Sequence, residues 1–449
     1  MIDAVELLRE LIRFDTTNPP GNEEECIAHL ESLLRSRRVA CERFTKTPGR
    51  PNLIARHAGA PGTRPLVLYG HVDVVTTSGQ RWEHPPFAAD VVDGYVWGRG
   101  ALDMKSGVAM LVTAFLRAHE AGSSTPLALV ILSDEEGGGD AGARFLAEEK
   151  PEVFAGARHA LGEFGGATQW IAGRRFYPIQ VAEKQMCWLR ATIRGAGGHG
   201  ALGVRGGAMR RLGDVLRTFD RRQPPVHVIP VVREWIERMA SALPRRHAIA
   251  LRALLDPRAA DLAVRALGPR GRVFGRVIRN TVSPTIVHGG EKINVIPSEL
   301  ELQLDGRLLP GFTPEDLIRE LHGLVGRGVE LEVLRHDPGP PAPDLSFYEP
   351  LAEIIRELDP EGLPVPMLQP GVTDARFLGR AGVQTYGFLP LRLPDDFDPL
   401  PLIHNADERV PVEALGFGVE AISLAIDRYG RREIPTRHSG REPTARLRG

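Results

Sequence analysis

The amino-acid sequence predicts an α/β fold: a mostly parallel sheet flanked by helices, with an inserted ferredoxin-like βαββαβ domain. Three observations carry that expectation. From residue 1 to about 182, short apolar runs alternate with segments of helical periodicity, the pattern of strands and their crossover helices. After Glu183 the pattern changes to half-exposed strands and two amphipathic helices, in the order of a split βαβ unit. The apolar runs of the first part also stop at acids and histidines, and open α/β sheets gather their functional groups at the carboxyl ends of strands.

The stretch Met1–Glu10 is charged and amphipathic, a helix rather than a signal peptide. Gly21-Asn22 announces a helix over roughly 22–37, and strands follow at 52–57 and 66–70. After Asp103, the residues Val108, Leu111, Val112 and Phe115 share one helical face, with Gly122 as the stop. Nothing polar interrupts Pro126–Leu132 before Ser133, as a strand buried on both faces requires.

In the second part, Cys187–Arg194 alternates like a half-exposed strand. Met209, Leu212, Val215, Leu216 and Phe219 then line one helix face. Strands are expected near 281–288 and 299–308. Thr313 as N-cap and Pro314 at the first position start a second helix, and a last strand covers 329–335. Within this unit, 222–280 is an Arg- and Pro-rich stretch with helical patterning and no legible role. Asp337-Pro338-Gly339-Pro340-Pro341-Ala342-Pro343 reads as a linker back to the first domain. A helix at 349–358, a strand at 383–389 and a helix at 412–428 complete it. The boundaries are therefore 1–183 and 338–430 for the first domain, 184–337 for the inserted one, and 431–449 for a polar, flexible tail.

A length of 449 residues suits two domains, and a formal net charge of -1 offers no attraction to nucleic acid or an anionic membrane. No segment approaches the roughly 18 uninterrupted apolar residues of a membrane span. Cys26, Cys41 and Cys187 form neither a disulfide framework nor a CxxC pattern, which points to a reducing cytoplasm.

The chemistry lies at the run ends: His71 and Asp73, Asp103, Glu135 and Glu136, Glu163, and His404. Several carboxylates and two imidazoles converging at one sheet edge repel one another or lose hydration unless cations neutralise them. The reading is a metal site, and the spacing of the donors suggests two ions. Histidine with carboxylate suits zinc, cobalt or manganese.

Gly70-His71-Val72-Asp73-Val74-Val75, then Gly98-Arg99-Gly100-Ala101-Leu102-Asp103-Met104-Lys105, then Ser133-Asp134-Glu135-Glu136 together resemble the signatures of the M20 metallopeptidase family. That group includes glutamate carboxypeptidase, succinyl-diaminopimelate desuccinylase, acetylornithine deacetylase and aminoacylase. The order of elements is similar over nearly the whole chain, apart from 222–280 and the tail. The resemblance implies a zinc-peptidase-type sheet and two divalent ions, zinc foremost, bridged by Asp103. His71 and Glu163 would complete one ion, Glu136 and His404 the other. It further implies that Asp73 orients the His71 imidazole, that a cis peptide follows Asp103, and that Glu135 is the general base.

In the inserted domain, Gly197-Gly198-His199-Gly200 resembles the family's Gly-His segment, whose His polarises the scissile carbonyl, often from the partner subunit. Ala201 follows where the family usually has Ser. Asn294 and Arg307 resemble its carbonyl-binding Asn and its Asp-x-Arg, and Arg376 lies in a family-like glycine segment. Arginine clamps a carboxylate bidentately. Ala182-Glu183-Lys184 looks most like the carboxypeptidase and N-acyl-amino-acid hydrolase branch, with Gln185 where that branch usually has Gly.

The function so implied is metal-dependent hydrolysis of amide bonds in carboxylate-bearing substrates, small peptides or N-acyl amino acids, by a metal-activated water. Alternatives are a deacetylase or desuccinylase of amino-acid biosynthesis, or a noncatalytic binding protein on the same fold. A homodimer through residues 184–337 is also implied, although the 222–280 stretch could supply those contacts within one chain. Gly137-Gly138-Gly139 lacks the Lys-Ser/Thr of a phosphate cradle and reads instead as close backbone passage near the metals.

Overall fold

Leu127–Leu132 is buried along its whole length, and its side chains alternate between two separate cores. Leu127, Leu129 and Ile131 enter the larger core, while Ala128, Val130 and Leu132 enter the smaller. Leu66–His71 behaves alike, with Leu66 and Leu68 on one side and Val67 and Tyr69 on the other. A strand covered on both faces has no polar position to spare, which explains the uninterrupted apolar runs.

The computed structural model describes residues 2–203, 205–340 and 342–431, so the expected tail lies outside the described residues. The main sheet runs in the order Ala40–Thr45, Pro51–His57, Leu127–Leu132, Leu66–His71, His159–Gly162, Gln384–Gly387, Arg174–Glu183 and Leu363–Gln369. Leu66–His71 is parallel to both its neighbours, as are the pairs His159–Gly162 with Gln384–Gly387 and Leu363–Gln369 with Arg174–Glu183. Lys105–Glu120 packs on one face beneath Ala4–Ile12 and Val412–Arg431, and so is buried almost all round. Ala143–Glu149 and Ala375–Arg380 cover the other face. Leu363–Gln369 escaped the sequence reading because Pro364 and Pro366 interrupt it; it closes one end of the sheet, where missing N–H groups are tolerated.

The second unit follows the expected βαββαβ order, from Gln185–Arg194 to Glu330–Asp337. Its antiparallel sheet runs Thr281–His288, Glu299–Leu308, Gln185–Arg194, Glu330–Asp337. Thr313 caps Pro314–Val325 in a full capping box with Asp316. Cys187, Leu189, Ala191 and Ile193 face its helices, while Trp188, two residues from Met186 on the alternate face, remains partly exposed.

The 222–280 stretch forms four helices, beginning with Pro230–Ala242 and ending with Gly268–Val277. The sequence placed it in the second unit. Instead Pro230–Ala242 packs on Leu363–Gln369, and Val232, Trp235, Ile236 and Met239 join the main sheet's core. Periodicity reveals that a helix has an apolar face, not which neighbour covers it. No helix among the described residues is long and apolar enough to cross a membrane.

Because Ile236 is fully buried in that shared core, Ile236→Ala is expected to lower stability by about 2–5 kcal/mol, read as a shift in the denaturant midpoint. A shift near zero would mean that the inserted helix docks loosely.

Candidate metal centre

Three strands of the main sheet deliver four of the donors. His71 ends Leu66–His71, Glu163 follows His159–Gly162, and Glu135 and Glu136 follow Leu127–Leu132. Asp103 lies just before helix Lys105–Glu120, after a cis Asp103–Met104 peptide, and His404 comes from a loop. Asp103 stands between the two imidazoles: its Oδ1 is 3.3 Å from His71 Nε2, and its Oδ2 is 3.2 Å from His404 Nε2. His404 Nε2 also lies 3.2 Å from Glu136 Oε1, and His71 Nε2 lies 3.8 Å from Glu163 Oε1. Two groups emerge, His71 with Glu135 and Glu163, and Asp103 with Glu136 and His404, their donor atoms within 4.8 Å of one another. Glu135 thus stands among the donors, beside the expected five.

The donors fit divalent cations. His71 Nε2, Glu136 Oε1 and Glu163 Oε2 are buried without a hydrogen-bond partner, and their residues belong to the two groups. Such orphans cost energy unless a ligand takes them. His71 Nδ1 lies 3.0 Å from the Asp73 carbonyl oxygen. A carbonyl only accepts, so Nδ1 carries a proton and Nε2 is left to face the cluster.

The electrostatics agree. Loss of hydration drives Glu135 and Glu163 well above the carboxylate range, and neighbouring acids push them further. The carboxylates of Asp103 and Glu136 close to its ring raise His404 to about 10. Burial alone would lower His71, but the nearby carboxylates of Asp103, Asp73 and Glu163 outweigh it and hold it high. Without cations this cluster gathers protons; divalent ions would take their place.

The Asp73 carboxylate, 3.5 Å from His71 Nδ1, has a further task. It accepts from the backbone N–H groups of Glu135 at 3.1 Å and Glu136 at 3.0 Å, and from Asn18 Nδ2 at 2.8 Å. It therefore holds the Glu135–Glu136 turn, while its main-chain carbonyl orients the ring.

Sequence reasoning missed a supporting layer. Asp134, in a left-handed turn, accepts from Arg50 at 2.8 Å, Asn18 at 3.2 Å and the Ala141 amide at 2.8 Å. Glu408, fully buried, accepts from the backbone N–H groups of Gly100 at 3.2 Å, Leu102 at 2.7 Å and Asp103 at 3.0 Å, and from Arg99 at 2.6 Å. It ties the His404 loop to the Asp103 turn. An acid four residues after His404 was the available signal. A Cβ on Gly137 would come 2.3 Å from Asp134 Oδ1, so the glycine run passes close to this supporting layer.

The cluster opens into a cleft of about 400 Å³ that Arg307, Arg376, Arg335 and Trp188 also line. Arg376 donates to the carbonyls of Thr373 at 2.6 Å and Gly138 at 3.0 Å, and its Nε lies 3.8 Å from Asp337 Oδ2 without a hydrogen bond. Arg307 pairs with Asp305 at 2.9 Å. His199 and Asn294 are brought together elsewhere. They sit exposed on and beside a small ladder of Gly198–His199 with Val295–Ile296, where the Gly200 N–H donates to the Asn294 carbonyl at 2.8 Å. Neither lines the cleft of this chain.

A family model, Peptidase family M20/M25/M40, matches residues 67–428. The chain is 26% identical over 427 residues to aminoacylase-1 of Homo sapiens, covering 91% of this chain and 90% of that protein. Among solved structures, the M20 family metallo-carboxypeptidase Sso-CP2 from Sulfolobus solfataricus superposes with a TM-score of 0.68 at 14% identity, over 96% of this chain and 100% of that one. Human carnosine dipeptidase 1 superposes with a TM-score of 0.65 at 16% identity, over 96% of each chain.

Glu408→Gln leaves Arg99 buried beside a neutral group, an expected loss of about 3–5 kcal/mol in unfolding experiments. Through the slackened Asp103 turn, zinc affinity measured by titration calorimetry is expected to fall about 10–100-fold. Unchanged affinity would show that the turn keeps its position without Glu408.

Proposed function

Since the chain belongs to peptidase family M20/M25/M40, we propose that it hydrolyses amide bonds in small carboxylate-bearing substrates, with two divalent ions held by His71, Asp103, Glu136, Glu163 and His404. The substrates are peptides cut in carboxypeptidase or dipeptidase fashion, or N-acyl amino acids. The observation that carries the reading is Asp103, whose two oxygens face two different histidines at 3.3 and 3.2 Å. Zinc is the ion favoured, and the donor set accommodates cobalt and manganese.

Ions bound there would lower the pKa of a water and polarise a carbonyl oxygen. The chain's own groups do the rest. Glu135 takes the proton of the attacking water and returns it to the departing amine, the task of a carboxylate within reach of that water. Asp73 positions Glu135 through its backbone amide. Arg376 and Arg307 offer guanidinium groups on the cleft wall for the substrate carboxylate. A purely binding protein would have no use for Glu135.

His199 reaches a cleft only from a second copy, which supports a homodimer through residues 184–337. Thr281–His288 is an edge strand that leaves Ile286 45% and Val287 50% exposed, an edge suited to pairing. The cysteines Cys26, Cys41 and Cys187 are free, which supports a reducing, cytoplasmic setting.

Chelation is expected to abolish hydrolysis of N-acetylated amino acids and dipeptides, and added zinc to restore it. Glu135→Gln should lower kcat by about 10²–10⁴-fold. Full turnover after chelation, or in Glu135→Gln, would refute the reading. Mixing inactive His199→Ala and Glu135→Gln proteins is expected to restore about a quarter of wild-type activity, since half the dimers then carry one intact composite site. No recovery on subunit exchange would place His199 outside the partner's site.

A further inference from the structure

We propose that the acyl side of the substrate is a long apolar chain, of the fatty-acyl class, housed in a channel from the metal centre to the inserted helices. The proposal rests on the reading of the site as a hydrolase of carboxylate-bearing amides. Asp103, Glu163 and Phe164 border two different spaces. One is the arginine-lined cleft. The other is a cavity of about 100 Å³ walled mainly by Met104, Met110, Met367, Leu389, Leu391 and Ile403. A further cavity of about 320 Å³ adjoins it, with Phe164, Met367 and Leu400 common to both walls. Its outer wall comes from the inserted helices, through Val273 and the Trp235 and Phe274 rings, whose centroids lie 5.1 Å apart.

An amide held at Asp103 with its carboxylate towards the arginines would point its acyl group into this apolar side. An acetyl group would occupy only the first cavity. A second peptide unit would bring N–H and C=O groups for which Ser106, Gln169 and Gln369 are among the few partners on walls that are mostly apolar, and burying the rest unpaired is costly. The Thr168 hydroxyl is already taken, accepting from the Leu393 amide at 2.8 Å and donating to its carbonyl at 3.3 Å. The exposed Asp395, Asp396 and Asp398 stand at the outer rim. They disfavour an acyl group ending in a carboxylate, such as succinyl. An alkyl chain suits both features: it asks for no hydrogen bonds and gains from every methylene removed from water.

The test is an acyl-length series on the zinc-loaded full chain: N-acetyl-, N-octanoyl- and N-dodecanoyl-leucine. We expect kcat/KM to rise about threefold to fourfold per added methylene until the channel is full. Val273 and Leu400, 38% and 47% exposed, can be changed without disturbing the core. Val273→Glu and Leu400→Glu are each expected to cut the dodecanoyl-to-acetyl ratio by about tenfold or more. Calorimetry supplies a readout apart from turnover: zinc-loaded Glu135→Gln should bind N-dodecanoyl-leucine at least about 100-fold more tightly than N-acetyl-leucine. Equal affinities, or a flat length profile with hydrolysis intact, would overturn the channel and leave the hydrolase standing. Tight, length-dependent binding without turnover of any amide would instead remove the hydrolase reading and keep the channel.

Discussion

Two histidines and four acids meet at one sheet edge with too few hydrogen bonds among them, and the surrounding structure exists to keep them there. Left alone, such groups separate or neutralise, because buried like charges repel and lose water. The chain prevents the first outcome with rigid attachment. His71, Glu163 and the Glu135–Glu136 pair follow strands that pair in one register. Asp103 is pinned through Glu408 and the Glu135–Glu136 turn through Asp73. Groups forced together and left with orphan atoms on the shared side are preorganised for a cation.

This arrangement explains which parts were legible beforehand. A strand sandwiched between two cores must be apolar throughout, so its end is visible as the first acid or histidine. That is how His71, Glu135, Glu136 and Glu163 stand out in the sequence. Thr313 and Pro314 marked a helix start for an equally local reason, since a cap is satisfied within four residues. The βαββαβ unit was readable because its central strands, Gln185–Arg194 and Glu299–Leu308, bury one face and alternate accordingly.

What stayed hidden depends on partners far away in sequence. Glu408 and Arg99 are 309 residues apart, and nothing in either neighbourhood announces the other. Asn18 meets Asp73 and Asp134 across 55 and 116 residues. Leu363–Gln369 was hidden by its prolines, and its place at the end of the sheet is a property of topology, which no window of sequence contains. The inserted helices illustrate the same limit: their apolar faces were evident, but their docking on the main sheet was not.

That docking gives the insertion a consequence beyond stability. Trp235 and Phe274 are side chains of the shared core, yet they also wall the outer apolar cavity. Rigid core residues make a better wall than a mobile loop, because a ligand that binds there need not first order its own site. The metal centre thereby acquires two unlike sides. Towards the βαββαβ unit stand Arg307 and Arg335 with Arg376 nearby; towards the insertion stand methionines, leucines and two aromatic rings. A substrate with a charged end and an apolar end has one way to lie across such a site. Reversing it would bury a carboxylate among hydrocarbon and place an alkyl chain among guanidinium groups, and both exchanges are unfavourable. Orientation at the reacting bond is then set by opposite chemistries at its two ends, without any contact to the bond itself.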